Sequence, residues 1–173
     1  MKVFFREYEM AAKNFKVGEY VVYPAHGVGK LIGCESHNIA GSTLELLVIN
    51  FEKDKMVLRL PKEKAQNAGL RALSTKKEMD EALKMLSVRT KPRRVMWSRR
   101  AQEYESKINS GLPGSIAEVI RDLYRRSNDT EQSYSERQIY QAAVERFVRE
   151  LSAVEQLDEK TAIEKMEGSL RVA

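Results

Sequence analysis

Thr43-Leu44-Glu45-Leu46-Leu47-Val48-Ile49-Asn50-Phe51 is followed by a polar turn signal at Lys53-Asp54, and then by Lys55-Met56-Val57-Leu58-Arg59-Leu60. Both runs are short, rich in β-branched and large apolar residues, and separated by turn chemistry, which marks paired strands. Two further runs precede them, Glu19–Tyr23 and Val28–Cys34. Pro24-Ala25-His26-Gly27 and Ala40-Gly41-Ser42 supply the turns between. Four or five short strands with tight connections predict a small, strongly curved sheet or barrel, because a flat sheet would leave long open edges. Gly29 and Gly33 within one strand fit a sharp bend. The run Leu46–Ile49 is apolar on both faces. It reads either as a central barrel strand or as an edge that a partner could extend by β-augmentation. Pro61 ends the last strand, and Gly69 closes a short turn or helix.

Beyond Gly69 the period becomes helical. Thr75-Lys76-Lys77-Glu78 is a capping-box pattern, and Met79, Leu83 and Leu86 follow it on one face. Pro92 suggests another helix start, with Asn109-Ser110-Gly111 at its end. Ser115–Glu118 is read as a second capping box, ahead of Ile116, Val119, Ile120, Leu123 and Tyr124. Ser135–Gln138 is read as the opening of a helix carrying Ile139, Ala143, Phe147 and Leu151. A last helix is expected from Asp158 to about Leu170. The chain thus divides into an extension (1–13), a β domain (14–72, strands ending near 62) and an all-α domain (75–170). Residues 63–74 lead from one to the other.

Charge is unevenly placed. The 173 residues carry a formal net charge of +5. Residues 76–126 hold 13 Lys/Arg against 7 Asp/Glu, while 127–173 hold 6 against 10. Concentrated positive charge points to an anionic partner. The single cysteine, Cys34, excludes an intrachain disulfide and fits a reducing cytosol. No apolar run is long enough to span a bilayer, and the charged start does not suit a signal peptide. Cytoplasmic localisation and no membrane partner are expected.

The only tryptophan, Trp97, lies in the basic run Lys91-Pro92-Arg93-Arg94-Val95-Met96-Trp97-Ser98-Arg99-Arg100. Lys and Arg neutralise phosphates, and a flat apolar ring can stack on a base or wedge between base steps. Against this, Trp97, Ala101, Tyr104 and Ile108 share one helix face, so Trp97 is also in phase with a core stripe. Both hold if one part of the ring is packed and another exposed. Arg121, Arg125 and Arg126 lie on one side of the next helix, either as solvated charges or as part of the same basic surface. Cys34, His37 and His26 have metal-like spacing but fall short of the four good ligands a tetrahedral site needs, so no metal is expected. The glycines of Gly27-Val28-Gly29 match neither a phosphate loop nor a dinucleotide fingerprint. No nucleophile elbow is present, and neither an enzyme nor a cofactor is expected.

Four stretches taken in order resemble the CarD (CdnL-type) family of bacterial transcription regulators. They are Phe15–Gly27, Val57–Pro61, Trp97-Ser98-Arg99-Arg100 and Ala117–Arg126. The resemblance covers roughly residues 15–155. It implies an α+β, multidomain chain: an N-terminal Tudor/SH3-like β-barrel that binds the RNA polymerase β subunit, then a helical domain that contacts promoter DNA. It implies that Trp97 sits in the minor groove at the upstream edge of the bubble and stabilises the open complex. Arg99 and Arg100 are then expected on the DNA backbone, with Arg94, Arg93, Lys91, Arg125 and Arg126 completing the basic surface. Arg59 is expected to hold polymerase, together with His37, Val57 and Ile49. His37 stands where some members have Arg, and Gln102 where a Lys can follow the motif. A monomer associated with the nucleoid through polymerase is expected. The alternative is a stand-alone, non-specific nucleic-acid-binding protein.

Overall fold

The computed structural model describes residues 15–91, 94–124 and 132–172. These fall into two compact units, one reaching Leu73 and the other starting at Ser74.

The first unit is a five-stranded antiparallel sheet. Its strands are β1 (Tyr20–Tyr23), β2 (Gly27–Ile39), β3 (Ser42–Phe51), β4 (Met56–Pro61) and β5 (Arg71–Ala72), ordered β4-β3-β2-β1-β5. β3 is therefore an inner strand, paired on both sides, with Leu47, Val48 and Ile49 all buried. The reading of β3 as an open edge is corrected, since β2 and β4 already occupy its backbone groups. β2 runs five residues past the expected Cys34 because its far half is polar and shows no apolar alternation. It joins β3 through Ala40 and Gly41, at φ 50° and 83°, a tight hairpin turn that needs left-handed backbone at both positions.

Val21, Leu31, Leu47, Ile49, Phe51, Ala65 and Leu70 form the core on the inner face. Burying a side chain such as Phe51 contributes about 1.5–3 kcal/mol. Gly29 is required here by closeness rather than by φ. A Cβ on it would lie 2.7 Å from Ile49 Cγ2 and from Phe51 Cε1. Gly33 is different, because a Cβ there would meet nothing within 4 Å. The strand bends between them, where the register slips between Leu31 and Gly33 and leaves Ile32 as an extra residue. Residues 63–74 are more than a connector. Lys62–Ala65 forms a short helix (α1), Ala65 and Leu70 are buried in the sheet's core, and β5 pairs with β1.

The second unit packs α2 (Lys76–Leu86), α3 (Trp97–Asn109), α4 (Pro113–Leu123), α5 (Tyr134–Glu155) and α6 (Glu159–Arg171) around one core. The Thr75/Glu78 capping box forms in full. Three expected helix starts are corrected. α4 opens at Pro113, whose fixed φ suits a first turn, so Ser115 lies inside the helix. α5 is capped by Ser133 with Glu136, one capping box upstream of the expected Ser135/Gln138 pair. α3 starts at Trp97, downstream of the expected start at Pro92. Glu150 is a buried charged residue of this unit, and its Oε1 accepts from both the backbone N–H (3.0 Å) and the hydroxyl (2.7 Å) of Ser74. Among the described residues no helix is long and apolar enough to cross a membrane.

Candidate functional site

The helical unit builds its candidate site at the N-terminus of α3. Trp97 is the first helical residue, preceded by Met96, which is 79% exposed and supplies no side-chain cap. The indole is half-buried. It packs against the core while its Nε1–H donates to Ser135 Oγ at 3.3 Å. Its ring lies 6.4 Å from that of Tyr104, at 51°. The Arg100 guanidinium lies beside both rings, 5.8 Å from the Trp97 centroid and 5.6 Å from the Tyr104 centroid. Arg100 Nη2 donates to the Tyr104 hydroxyl at 3.1 Å, and that hydroxyl in turn donates to Asp122 Oδ2 at 3.4 Å. Asp122 also accepts from Thr90 and from Arg121.

The expected basic surface separates into distinct environments. Lys91, Arg94 and Arg99 are exposed, as a phosphate contact requires. Arg100 is not an open surface cation, because the two rings and the Tyr104 hydroxyl already engage it. Arg121, 18% exposed on its side chain, is ion-paired with Asp122. Arg93, Arg125 and Arg126 lie outside the described residues. Ser135 and Asp122 were not legible as site residues, since their partners are remote in sequence. Arg100 was legible in principle: three residues after Trp97 and four before Tyr104, it must share their face.

The sheet unit carries its candidate site on the outer face. Arg59 on β4 reaches across β3 to Glu35 on β2, with Nε to Oε2 at 3.1 Å and Nη2 to Oε1 at 3.4 Å. His37 Nε2 lies 3.2 Å from the same Oε2. The hydrogen bond from Arg59, and then that from His37, hold the Glu35 carboxyl below its ordinary pKa. Val57 is 47% exposed on this face, and Ile32 likewise at the bulge. Ile49 is a correction: fully buried, it points the other way into the sheet's core, because it pairs with Leu31 and Leu58 on the inner face. The metal-like spacing comes apart as well. His26 packs on Tyr23 and Phe51, and His37 is taken by Glu35. Among the described residues there is no cluster of three potential metal ligands.

A bent antiparallel sheet unit is thus followed by a helical unit that anchors a half-buried tryptophan at a helix start. Residues 15–74 match the family model for the CarD-like/TRCF RID domain, and residues 81–167 match that for CarD, C-terminal domain. The chain belongs to the CarD family. It is also similar to YdeB of Bacillus subtilis (strain 168), whose name marks it as a candidate transcription factor. That likeness is 25% identity over 146 residues, covering 84% of this chain and 95% of the relative.

Proposed function

We propose that this transcription factor binds the β subunit of RNA polymerase through the outer face of its sheet. Its helical unit then sets Trp97 against promoter DNA at the upstream edge of the transcription bubble, and the open complex lasts longer. The observation that carries this reading is Trp97 itself: a half-buried ring at the first residue of α3, beside exposed Arg94, Met96 and Arg99. The match of residues 15–74 to a domain shared with TRCF supports the polymerase half.

Phosphate charge plus one apolar wedge gives affinity with little base readout. The ligand is therefore a DNA shape, the junction of duplex and bubble, where stacking is already partly lost and insertion costs less. Alone, the helical unit binds DNA weakly. Tethering through the sheet raises its local concentration to about millimolar order. Such a factor works in the cytoplasm, on the nucleoid, wherever polymerase melts a promoter.

The test is open-complex lifetime with polymerase and a promoter. Loss of one ring contact is worth about 1–3 kcal/mol, so Trp97→Ala should shorten the lifetime roughly 5- to 150-fold with polymerase binding intact. Arg59→Glu should do the reverse, weakening polymerase binding at unchanged saturating lifetime. An unchanged lifetime in Trp97→Ala would remove the wedge. Tight DNA binding without polymerase, falling steeply with salt, would favour a stand-alone nucleic-acid binder.

A further inference from the structure

We infer that Arg100 serves as the positioning residue for Trp97, holding the indole in its DNA-ready orientation, and does not act as a phosphate contact. The inference rests on the proposed wedge role of Trp97. Residues 97, 100 and 104 lie along one helix face, so the guanidinium can reach both rings. It lies within 6 Å of both centroids, where a cation is attracted to a ring face. It also bonds the Tyr104 hydroxyl, which passes the restraint to Asp122 on α4. Its Nε is buried and has no hydrogen-bond partner among the described residues, so this edge of the group is turned away from anything in solution. Arg99, one residue earlier, is exposed and free to meet a phosphate. Two adjacent arginines thus divide the work: one neutralises charge, the other fixes the ring. A ring already fixed in place loses less conformational freedom when it enters DNA.

Arg100→Lys separates the two roles. Lysine is a competent point charge for phosphate, but it lacks the flat fork that can meet two rings and a hydroxyl at once. In the complex of the full chain with polymerase and promoter, Arg100→Lys should recover little of the loss seen in Arg100→Ala. It should also add little to Trp97→Ala, because residues acting as one unit are not additive. A wild-type lifetime in Arg100→Lys, or a full further loss on top of Trp97→Ala, would overturn the inference. A second readout needs no DNA. Trp97 is the sole tryptophan, so time-resolved anisotropy of the free chain reports its local motion. Arg100→Lys should loosen that motion and Arg99→Ala should not; equal motion in all three proteins overturns the inference. If Trp97→Ala leaves the lifetime unchanged, the proposed function fails, and the anisotropy still decides this point. Should Arg100→Lys melt early, Tyr104→Phe keeps both rings, removes only the hydroxyl bonded to Arg100 Nη2, and is expected to loosen Trp97 in the same sense.

Discussion

The indole N–H of Trp97 donates to Ser135 Oγ across 3.3 Å, tying the first turn of α3 to the first turn of α5. Two helix starts, remote in sequence, thereby fix the orientation of one surface ring.

Ser135→Ala should therefore lower the unfolding free energy by about 0.5–1.5 kcal/mol, the net worth of an ordinary hydrogen bond. It should also make Trp97 more accessible to acrylamide. Urea unfolding and quenching, both followed on the single tryptophan, measure the two effects. Ser135→Thr keeps the hydroxyl and should restore most of each.

On the sheet, the bonds from Arg59 and then His37 to Glu35 carry a pH signature. The Glu35 carboxyl is held below its ordinary 4.5. Its stabilisation is therefore complete above the unfolded carboxylate range and is lost as pH falls through the lowered folded value. Glu35→Gln should flatten the acid limb of stability below about pH 4.5, read as melting temperature against pH. Because the pair is exposed, added salt should shrink the difference between the two proteins.

Gly29→Ala brings a methyl against Ile49 and Phe51 at 2.7 Å. Overpacking of that kind costs about 1–3 kcal/mol. Gly33→Ala, where a Cβ meets nothing within 4 Å, is the matched control and should cost far less. Thermal melts followed by far-ultraviolet circular dichroism distinguish the two.

Glu150 sits 3% exposed with two donors from Ser74 on one oxygen. Hydrogen bonds to a charged group contribute about 1.5–3 kcal/mol, so Glu150→Ala should cost at least that much in urea unfolding. Ser74→Ala removes only the hydroxyl donor and should cost less.

Residue pattern carried the architecture and part of the sites. The β-rich runs, the Thr75 capping box and the stripes of Val119, Ile120, Leu123, Phe147 and Leu151 were readable because local period records which face is buried. The capping boxes at Ser115 and Ser135 misled, because Ser-x-x-Glu/Gln recurs by chance in polar sequence and tertiary packing chooses among the candidates. Ile49 is expected, with Arg59, His37 and Val57, among the polymerase-binding residues. Its direction depends on strand parity, and pairing with Leu31 and Leu58 turns it inward. The resemblance places Arg99 and Arg100 alike on the DNA backbone; one residue along a helix turns a side chain by about 100°, and Arg100 lies within 6 Å of the Trp97 and Tyr104 rings. The bridges Arg59–Glu35 and Trp97–Ser135 join positions that only the folded chain brings together.

The extra residue at Ile32 has a consequence for how this strand tolerates changes in length. Before it, odd-numbered residues of β2 face inward, as Leu31 does opposite Ile49; after it, Gly33 and Glu35 pair with outward-facing Val48 and Leu46. Deleting Ile32 would leave every later pair in place and only straighten the strand. Deleting any one residue between Gly33 and the hairpin would exchange the faces of part of β2 unless the bulge closed to absorb it. The bulge is thus a one-residue reserve of slack, able to take up a single deletion and keep Glu35 beneath the reach of Arg59.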